Sequence, residues 1–235
     1  MTKRVLFVLT NHADLGDTGK KTGWHCSEVS HPYRILTEAG CEVSFASPDG
    51  GPVPMDPASE DKSDPVNASF MENPMIQAAL MNTLSAEEIQ AGIFQAIFFA
   101  GGHGTMWDFP GSQHLAAAAA HIYNTGGIVA AICHGPAALL DVRLADGTLL
   151  IKGKELTSFS DQEEKGLGLE NTVPFLLETE LTKRGARFVS AAPGQKKVVV
   201  SERLVTGQNP ASADGLGGEI KKLLEKRWQK KAEPA

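Results

Sequence analysis

The sequence of 235 residues contains few cysteines and few aromatic residues, and it has no long uninterrupted hydrophobic segment. Three cysteines are too few, and odd in number, for a disulfide framework. Every apolar run is shorter than the roughly 20 residues that a membrane-spanning helix needs. Aromatic residues make up 6% of the chain while glycine occurs 24 times, a combination that suits a loop-rich α/β protein.

The sequence also lacks an excess of basic residues. Its 22 Lys and Arg against 28 Asp and Glu give a formal net charge of −6, which argues against a general nucleic-acid-binding protein. The hydrophobic fraction of 42% and the charged fraction of 21% are close to ordinary globular usage, so wholesale disorder is excluded.

The N-terminal segment only superficially has the pattern of a signal peptide. Lys3 and Arg4 precede the apolar residues 5–9, but this run is shorter than the ~7 to 15 residues of a signal-peptide core. A first β-strand fits better. We therefore expect a cytoplasmic protein without a membrane partner, with its thiols kept reduced.

Short apolar runs without polar alternation predict the buried strands of a parallel sheet. The predicted strands span residues 5–9, 43–46, 96–100, 128–133, 187–191, 198–201 and 204–206. The predicted helices span residues 30–39, 74–90, 112–124, 171–184 and 211–228. This alternation predicts an α/β fold with a doubly wound, mostly parallel sheet flanked by helices, in a single domain over residues 1–235.

Residues 47–73 interrupt the alternation of strands and helices. The segment contains five prolines and paired glycines, with many Asp and Ser residues. Long irregular loops of this kind are usually functional lids or disordered segments. Because it follows the second strand, it is predicted to form a small cover over the active site, and a disordered surface loop is the alternative.

The most informative segment is the passage from a predicted strand into a helix at Cys133-His134-Gly135-Pro136. A strand–turn–helix elbow exposes the side chain at the turn, and a helix N-terminus favours a thiolate over a thiol. The pattern therefore predicts that Cys133 is a nucleophile, in preference to a small buried core residue.

A glycine-rich turn, Gly101-Gly102-His103-Gly104, follows the preceding strand. Its backbone N–H groups could stabilise a reacting oxygen, as in an oxyanion hole. No Lys-Ser or Lys-Thr follows the glycines, which excludes a phosphate-binding P-loop. Glu28 lies between the first strand and the first helix, where the residue types alone leave a surface glutamate as the default.

Taken together, these segments resemble the DJ-1/PfpI superfamily, in particular its Hsp31-like branch of glutathione-independent glyoxalases (glyoxalase III). The matching stretches are 22–23 with Glu28 and 31–32, then 100–105 with Asp108, 131–136, and 203–212. The resemblance covers almost the whole chain and implies a flavodoxin-like or class I glutamine amidotransferase-like fold.

The resemblance implies a role for each of these residues. Cys133 matches the nucleophile, His134 its neighbouring histidine and Glu28 a separate acid/base glutamate. Glu164 matches the third member of a Cys-His-acid triad, although Glu163 is adjacent and the assignment could shift by one residue. The backbone amides matching Gly102 and His134 would form the oxyanion hole, with Gly101 and His103 beside it.

The implied reaction converts methylglyoxal into lactate. The Cys133 sulfur adds to the aldehyde, and Glu28 moves a proton between the two neighbouring carbons before the thioester is hydrolysed. The reaction needs no cofactor, and a small 2-oxoaldehyde such as methylglyoxal or glyoxal would be the substrate. The resemblance also implies a homodimer, a lyase in enzyme class and a role in the stress response.

Several alternatives stay open on the sequence. A cysteine peptidase or deglycase could use Cys133, His134 and Glu164, whereas a glutamine amidotransferase is excluded because no histidine follows His134. A chaperone that binds unfolded proteins and a redox sensor that oxidises at Cys133 also compete. Cys26 is interpreted as a passive wall of the crevice, with a disulfide to Cys133 under oxidation as the alternative. No residue spacing indicates a metal site.

Overall fold

The computed structural model describes residues 3–232, so residues 1–2 and 233–235 of the predicted domain lie outside the described part. A seven-stranded sheet has the order β3-β2-β1-β4-β5-β9-β8. Its strands are β1 (Lys3–Val8), β2 (Cys41–Ser47), β3 (Leu84–Ser85), β4 (Ala96–Phe99), β5 (Ile128–Ile132), β8 (Val198–Ser201) and β9 (Leu204–Gly207). Neighbouring strands pair in parallel except β8 and β9, which are antiparallel, and a separate parallel pair is formed by β6 (Glu155–Leu156) and β7 (Arg187–Phe188).

Helices cover both faces of the sheet, as the predicted fold class requires. They are α1 (Cys26–Glu38), α2 (Pro65–Glu72), α3 (Pro74–Leu80), α4 (Thr105–Asp108), α5 (Gln113–Asn124), α6 (Asp161–Leu167), α7 (Leu177–Lys183) and α8 (Ala213–Ala232). The side chains of β1 alternate between two apolar clusters, one with Leu6 and Val8 and the other with Val5 and Phe7. No helix within residues 3–232 combines the length and the apolar character needed to cross a membrane.

The strand order creates a crevice at the carboxyl ends of β1 and β4. The chain passes from β1 outward to β2 and β3, and it then returns to place β4 on the other side of β1. Loops that leave neighbouring strands in opposite directions separate at such a point, and open α/β sheets bind ligands there. Glu28, Gly101 and Cys133 all follow strands that end at this edge of the sheet.

The predicted helix over residues 74–90 is wrong beyond Leu80. Thr83 leaves the helix and pairs with Gly51, through backbone hydrogen bonds in both directions and through its hydroxyl. Residues 84–85 then extend the sheet beside β2. Tertiary pairing with the segment after β2 overrides the local helical pattern, as it often does for short periodic runs.

Two other boundaries differ from the sequence-based prediction. The first helix starts at Cys26 instead of at residue 30, because the hydroxyl of Ser59 accepts the Cys26 N–H, and Pro32 lies inside it. The helix predicted over residues 171–184 is confined to Leu177–Lys183, since Pro174 disfavours a helical conformation of the residue before it.

The segment 47–73 is less irregular than its proline content predicts. It contains a 3₁₀ helix at Pro57–Ser59 and helix α2, and each begins with an aspartate that accepts backbone N–H groups, Asp56 and Asp64 respectively. In both cases proline occupies the first turn, where its missing N–H costs no hydrogen bond. The last predicted strand before β8, residues 187–191, is reduced to the two residues of β7.

Candidate active site

Cys133 occupies a strained turn immediately after β5. Its φ of 57° lies in the left-handed region, which costs a residue with a side chain about 1–3 kcal/mol. Its N–H donates to the Gly207 carbonyl at 2.9 Å, and its carbonyl accepts the Phe159 N–H at 2.8 Å. The five-residue 3₁₀ helix Gly135–Leu139 follows, where the sequence predicted an ordinary helix.

Cys133, His134 and Glu164 form a continuous chain of polar contacts. The Cys133 Sγ lies 3.3 Å from His134 Nδ1, and His134 Nε2 lies 2.7 Å from Glu164 Oε2. Burial alone would raise the pKa of Glu164, but the charges and hydrogen bonds of His134 and His103 lower it to about 2. Because the ionised carboxylate has no proton to donate, His134 donates Nε2–H to it and presents an unprotonated Nδ1 to the thiol.

Glu163 is separated from this chain by its own set of hydrogen bonds. It accepts hydrogen bonds from Ser160, from the Gly194 backbone N–H and from the side-chain amides of Gln208 and Asn209. Its carboxylate is therefore satisfied without His134. Of the two adjacent glutamates, Glu164 is the one in contact with the histidine, and Glu163 fixes the start of α6 to the loop after β9.

Glu28 presents a fully buried carboxyl group to Cys133. It lies in the first turn of α1 at 0% exposure, and neither carboxyl oxygen has a hydrogen bond of good geometry. Burial raises its pKa to about 8, although weak contacts with the Cys133 thiol and the Gly101 amide oppose the shift. A buried carboxyl near neutral pKa is suited to both donating and accepting a proton.

The surroundings of Cys133 favour its thiol form over the thiolate. Burial raises its pKa well above the ordinary value, and the neighbouring Glu28 and Glu164 raise it further, while the Gly102 N–H opposes this shift. The direction of this shift is opposite to the one predicted from a helix N-terminus. Desolvation in a site where Cys133 is 4% exposed outweighs the weak dipole of one short 3₁₀ helix.

Two glycines allow the loop after β4 to approach both groups. A Cβ on Gly101 would lie 2.6 Å from the Cys133 Cβ and closer still to Glu28 Oε2. Gly102 has a φ of +107°, and a Cβ there would lie 2.8 Å from the His25 nitrogen. A larger residue at Gly101 would therefore collide with Glu28 and Cys133, and one at Gly102 would collide with the backbone that precedes α1.

Replacing Glu28 with Gln is expected to change how stability depends on pH. Because the folded-state pKa of about 8 exceeds the ordinary 4.5, the native wild type binds more protons than the unfolded chain between these values. Wild-type stability should therefore fall as pH rises from about 4.5 to about 8. The free energy of unfolding of the variant relative to wild type should rise by about 2–4 kcal/mol between pH 5 and 8.5.

Urea denaturation at pH 5, 7 and 8.5 measures this difference. Glu38→Gln provides the matched control, since Glu38 belongs to the same helix but its side chain is 63% exposed. A relative stability of Glu28→Gln that stays constant across this range would contradict the raised pKa of Glu28.

His103 connects the glycine-rich turn to the Cys-His-Glu chain. Its Nε2 donates to Glu164 Oε1 at 2.9 Å, so that one carboxylate accepts from two histidines. The ligand atoms of His103, His134 and Glu164 lie within 4.8 Å of one another and are of types that bind transition metals. Hydrogen bonds among the three groups already satisfy their facing atoms.

Residues from segment 47–73 pack against the same crevice. The Trp24 N–H donates to the Pro54 carbonyl at 2.9 Å, and Thr22 donates to Asp56 at 2.9 Å. The sequence predicts that segment 47–73 covers the active site, but it does not single out Asp56 or Ser59 within that segment. Nothing in the local sequence indicates what these two residues contact, because their partners Thr22 and Cys26 are 34 and 33 residues away.

The three cysteines have different surroundings. Cys26 is a buried free thiol in the apolar cluster that contains Val5 and Phe7, and burial raises its pKa to about 11. Cys41 is buried at the start of β2 and is also free. Of the three cysteines, Cys133 is the one that contacts His134, and the interpretation of Cys26 as a passive wall of the crevice stays a prediction.

Comparison with known proteins identifies relatives along most of the chain. The family model described as "DJ-1/PfpI family" matches residues 21–223. Glyoxalase 3 of Candida albicans is 33% identical over 226 residues, covering 89% of this chain and 93% of the relative. The glutathione-independent glyoxalase HSP31 of Saccharomyces cerevisiae is 34% identical over 228 residues, covering 90% and 93%.

Solved structures agree with this grouping. The Francisella tularensis Rapid Encystment Protein 24 KDa superimposes with a TM-score of 0.92 at 38% identity, covering 95% of this chain and 99% of that one. The glyoxalase III of Candida albicans superimposes with a TM-score of 0.86 at 30% identity, covering 94% and 97%.

Proposed function

The chain belongs to the DJ-1/PfpI family, and on this basis we propose that it is a glutathione-independent glyoxalase that converts methylglyoxal into lactate. The observation that carries this proposal is the buried Glu28 carboxyl facing Cys133, with its pKa raised to about 8. A nucleophile next to a proton-carrying carboxyl is the pair that an internal redox shift between two neighbouring carbons requires.

The first step joins the substrate to Cys133. His134 Nδ1 accepts the thiol proton as the sulfur attacks the aldehyde carbon, and Glu164 stabilises the resulting imidazolium. The protonated Glu28 donates its proton to the aldehyde oxygen, whose developing charge faces the Gly102 and His134 amides. The product is a hemithioacetal, and Glu28 is left as a carboxylate.

The second stage moves hydrogen between the two carbons. Glu28 removes the proton from the former aldehyde carbon, which gives an enediolate, and then returns it to the neighbouring carbon. The proton on the first oxygen passes to the second, which leaves a thioester at Cys133. Water hydrolyses the thioester as His134 returns a proton to the sulfur and Glu28 takes one from the water, releasing lactic acid.

This sequence of steps balances without an external oxidant or reductant, because one carbon is oxidised while its neighbour is reduced. We infer that no nicotinamide, metal or glutathione takes part. The closed surroundings support a small 2-oxoaldehyde as substrate, since Glu28 and His134 are each 0% exposed and Cys133 is 4% exposed. Residues 53–59 of the segment after β2 contribute to this cover.

A cysteine peptidase is the second candidate, because Cys133, His134 and Glu164 have the contacts of a nucleophile–base–acid triad. It is less well supported for two reasons. A peptidase leaves the buried Glu28 without a role, and the small opening at Cys133 would not admit a folded protein chain.

Purified wild-type protein incubated with methylglyoxal, without glutathione, is expected to form lactate in proportion to the enzyme concentration. Glyoxal should yield glycolate by the same route, and EDTA should leave both rates unchanged. An assay without protein controls for spontaneous reaction of the aldehyde. Loss of methylglyoxal without stoichiometric lactate would contradict the proposal and favour simple modification of the protein by the aldehyde.

A homodimer, a cytoplasmic location, a role in the stress response and binding of unfolded proteins belong to the same proposal as its finer expectations. Sedimentation equilibrium measures the first of these. A light-scattering assay of a heat-denatured client, with and without this protein, measures chaperone activity separately from lactate formation.

A further inference from the structure

We propose that His25 is a further catalytic residue, whose Nε2–H donates a hydrogen bond to the second oxygen of the bound 2-oxoaldehyde as it becomes the enediolate. This role rests on the proposed glyoxalase function. In this role His25, which lies outside the Cys-His-Glu chain, stabilises the negative charge on the second oxygen. Cys133, His134 and Glu164 do not stabilise that charge.

The backbone of His25 is fixed between the other parts of the site. Its N–H donates to the Gly101 carbonyl at 3.0 Å, and its carbonyl accepts the Glu28 N–H at 3.2 Å. It is the N-terminal flanking residue of α1, three positions before Glu28. The glycine-rich turn packs directly against it, as the close approach of Gly102 to the His25 nitrogen shows.

One ring nitrogen of His25 has a hydrogen-bond partner and the other does not. Ser27 Oγ lies 3.2 Å from Nδ1 and can donate to it, which leaves the ring proton on Nε2. Within residues 3–232 Nε2 has no hydrogen-bond partner, and unlike the Glu28 carboxyl oxygens it is not sealed from solvent. This N–H is therefore available to donate a hydrogen bond to a ligand.

His25 is neutral at physiological pH. Its pKa is lowered to about 4, chiefly by burial. The charge of Asp56 opposes this shift, and His103 and His134 contribute to it. The backbone hydrogen bonds of His25 with Gly101 and Glu28 place this residue beside the crevice. A neutral imidazole held by its surroundings is a suitable electrophile for an enediolate, because its weak acidity is closer to that of an enediol than an imidazolium's is.

The reaction requires a hydrogen-bond donor to the second oxygen of the substrate. The Gly102 and His134 amides face the first oxygen, but the second oxygen gains negative charge when Glu28 removes the carbon-bound proton. His103 cannot serve while neutral, because its Nε2–H is committed to Glu164 and its Nδ1 is then only an acceptor. His25 retains its proton throughout, and the second oxygen acquires its proton from the first oxygen.

The test compares His25→Phe, His25→Gln and the control His114→Gln, which alters an exposed histidine on α5. Removing a single preorganised donor typically lowers kcat by about 10²–10³-fold, and we expect a loss of this size for His25→Phe. His25→Gln keeps a side-chain N–H and should recover part of the loss. His114→Gln should have wild-type activity.

Two further measurements distinguish this role from a structural one. The rate of Cys133 alkylation by iodoacetamide should be the same in His25→Phe and wild type, because the nucleophile is unaffected. With methylglyoxal deuterated at the aldehyde carbon, the isotope effect on kcat should be at least as large in His25→Phe as in wild type, since proton removal becomes slower.

Unchanged kcat in His25→Phe would overturn the proposal. So would a parallel loss of kcat and Cys133 alkylation, or a loss of the isotope effect, because each places the defect in another step or in the fold. Absence of lactate from the wild type itself would instead contradict the glyoxalase function, and the two failures are therefore distinguishable.

Discussion

Replacing Cys133 with Ala is expected to lower kcat for lactate formation by about 10⁴-fold or more, since removing a nucleophile disables every step that depends on the covalent intermediate. Cys133 is the cysteine in contact with His134 and Glu28, and the strained turn at φ 57° holds its sulfur between them. Lactate formation at saturating methylglyoxal measures the loss.

Cys41→Ala is the matched control, because it removes a second buried free thiol at the start of β2, away from the crevice. Its kcat should equal that of wild type. Cys26→Ala should also retain activity if Cys26 is a passive wall. Substantial lactate formation by Cys133→Ala would exclude the hemithioacetal route, whatever the behaviour of the other two variants.

Replacing Glu28 with Gln is expected to lower kcat by about 10²–10⁴-fold, the usual contribution of a general acid–base group. Gln has nearly the same shape as Glu, but it can neither donate its proton to the aldehyde oxygen nor remove the carbon-bound proton. Substrate attachment to Cys133 should continue. The variant is therefore expected to consume about one equivalent of methylglyoxal reversibly while it forms almost no lactate.

The reactivity of Cys133 provides an independent readout of the same variant. Burial and the Glu28 carboxyl both raise the pKa of the thiol, so removing the acidic group should lower that pKa and speed alkylation by iodoacetamide at alkaline pH. Faster alkylation with lost lactate formation would place Glu28 in the proton transfer. Lactate formation at the wild-type rate would remove Glu28 from the mechanism and favour the peptidase triad.

The stability and activity effects of Glu28→Gln are opposite above pH 7, and one physical cause explains both. A carboxyl group at 0% exposure without a good hydrogen bond destabilises the native state once it ionises. The same lack of solvation raises its pKa into the range where it can both donate and accept a proton. Retaining such a residue at a cost in stability is typical of a functional site.

Much of the fold could be predicted from local sequence. The apolar runs at residues 5–9 and 96–100 are long enough to indicate buried parallel strands, and the structure places both near the centre of the sheet. The local sequence pattern predicted the wrong secondary structure where pairing with a distant segment determined the conformation. The helix from Pro74 ends at Leu80 because Thr83 pairs with Gly51, a partner 32 residues away.

Some features of the candidate site could likewise be predicted from local sequence, and others could not. The Cys133 elbow and the Gly101-Gly102 turn are local features, because both depend on backbone conformations that only certain residues allow. By contrast, the adjacent Glu163 and Glu164 could not be distinguished along the chain. They differ only in their partners, since Gln208 and Asn209 bind the first while His103 and His134 bind the second.

The sequence by itself determined the central strands of the sheet, the elbow at Cys133 and the family resemblance, because short-range periodicity and motif spacing are properties of neighbouring residues. Tertiary structure alone decided that Glu28 is buried against Cys133, that burial raises the pKa of the Cys133 thiol and that Nε2 of His25 is left without a hydrogen-bond partner among the described residues. Each of these depends on desolvation or on a hydrogen-bond partner supplied by a distant segment, and neither is encoded in the local pattern of residues.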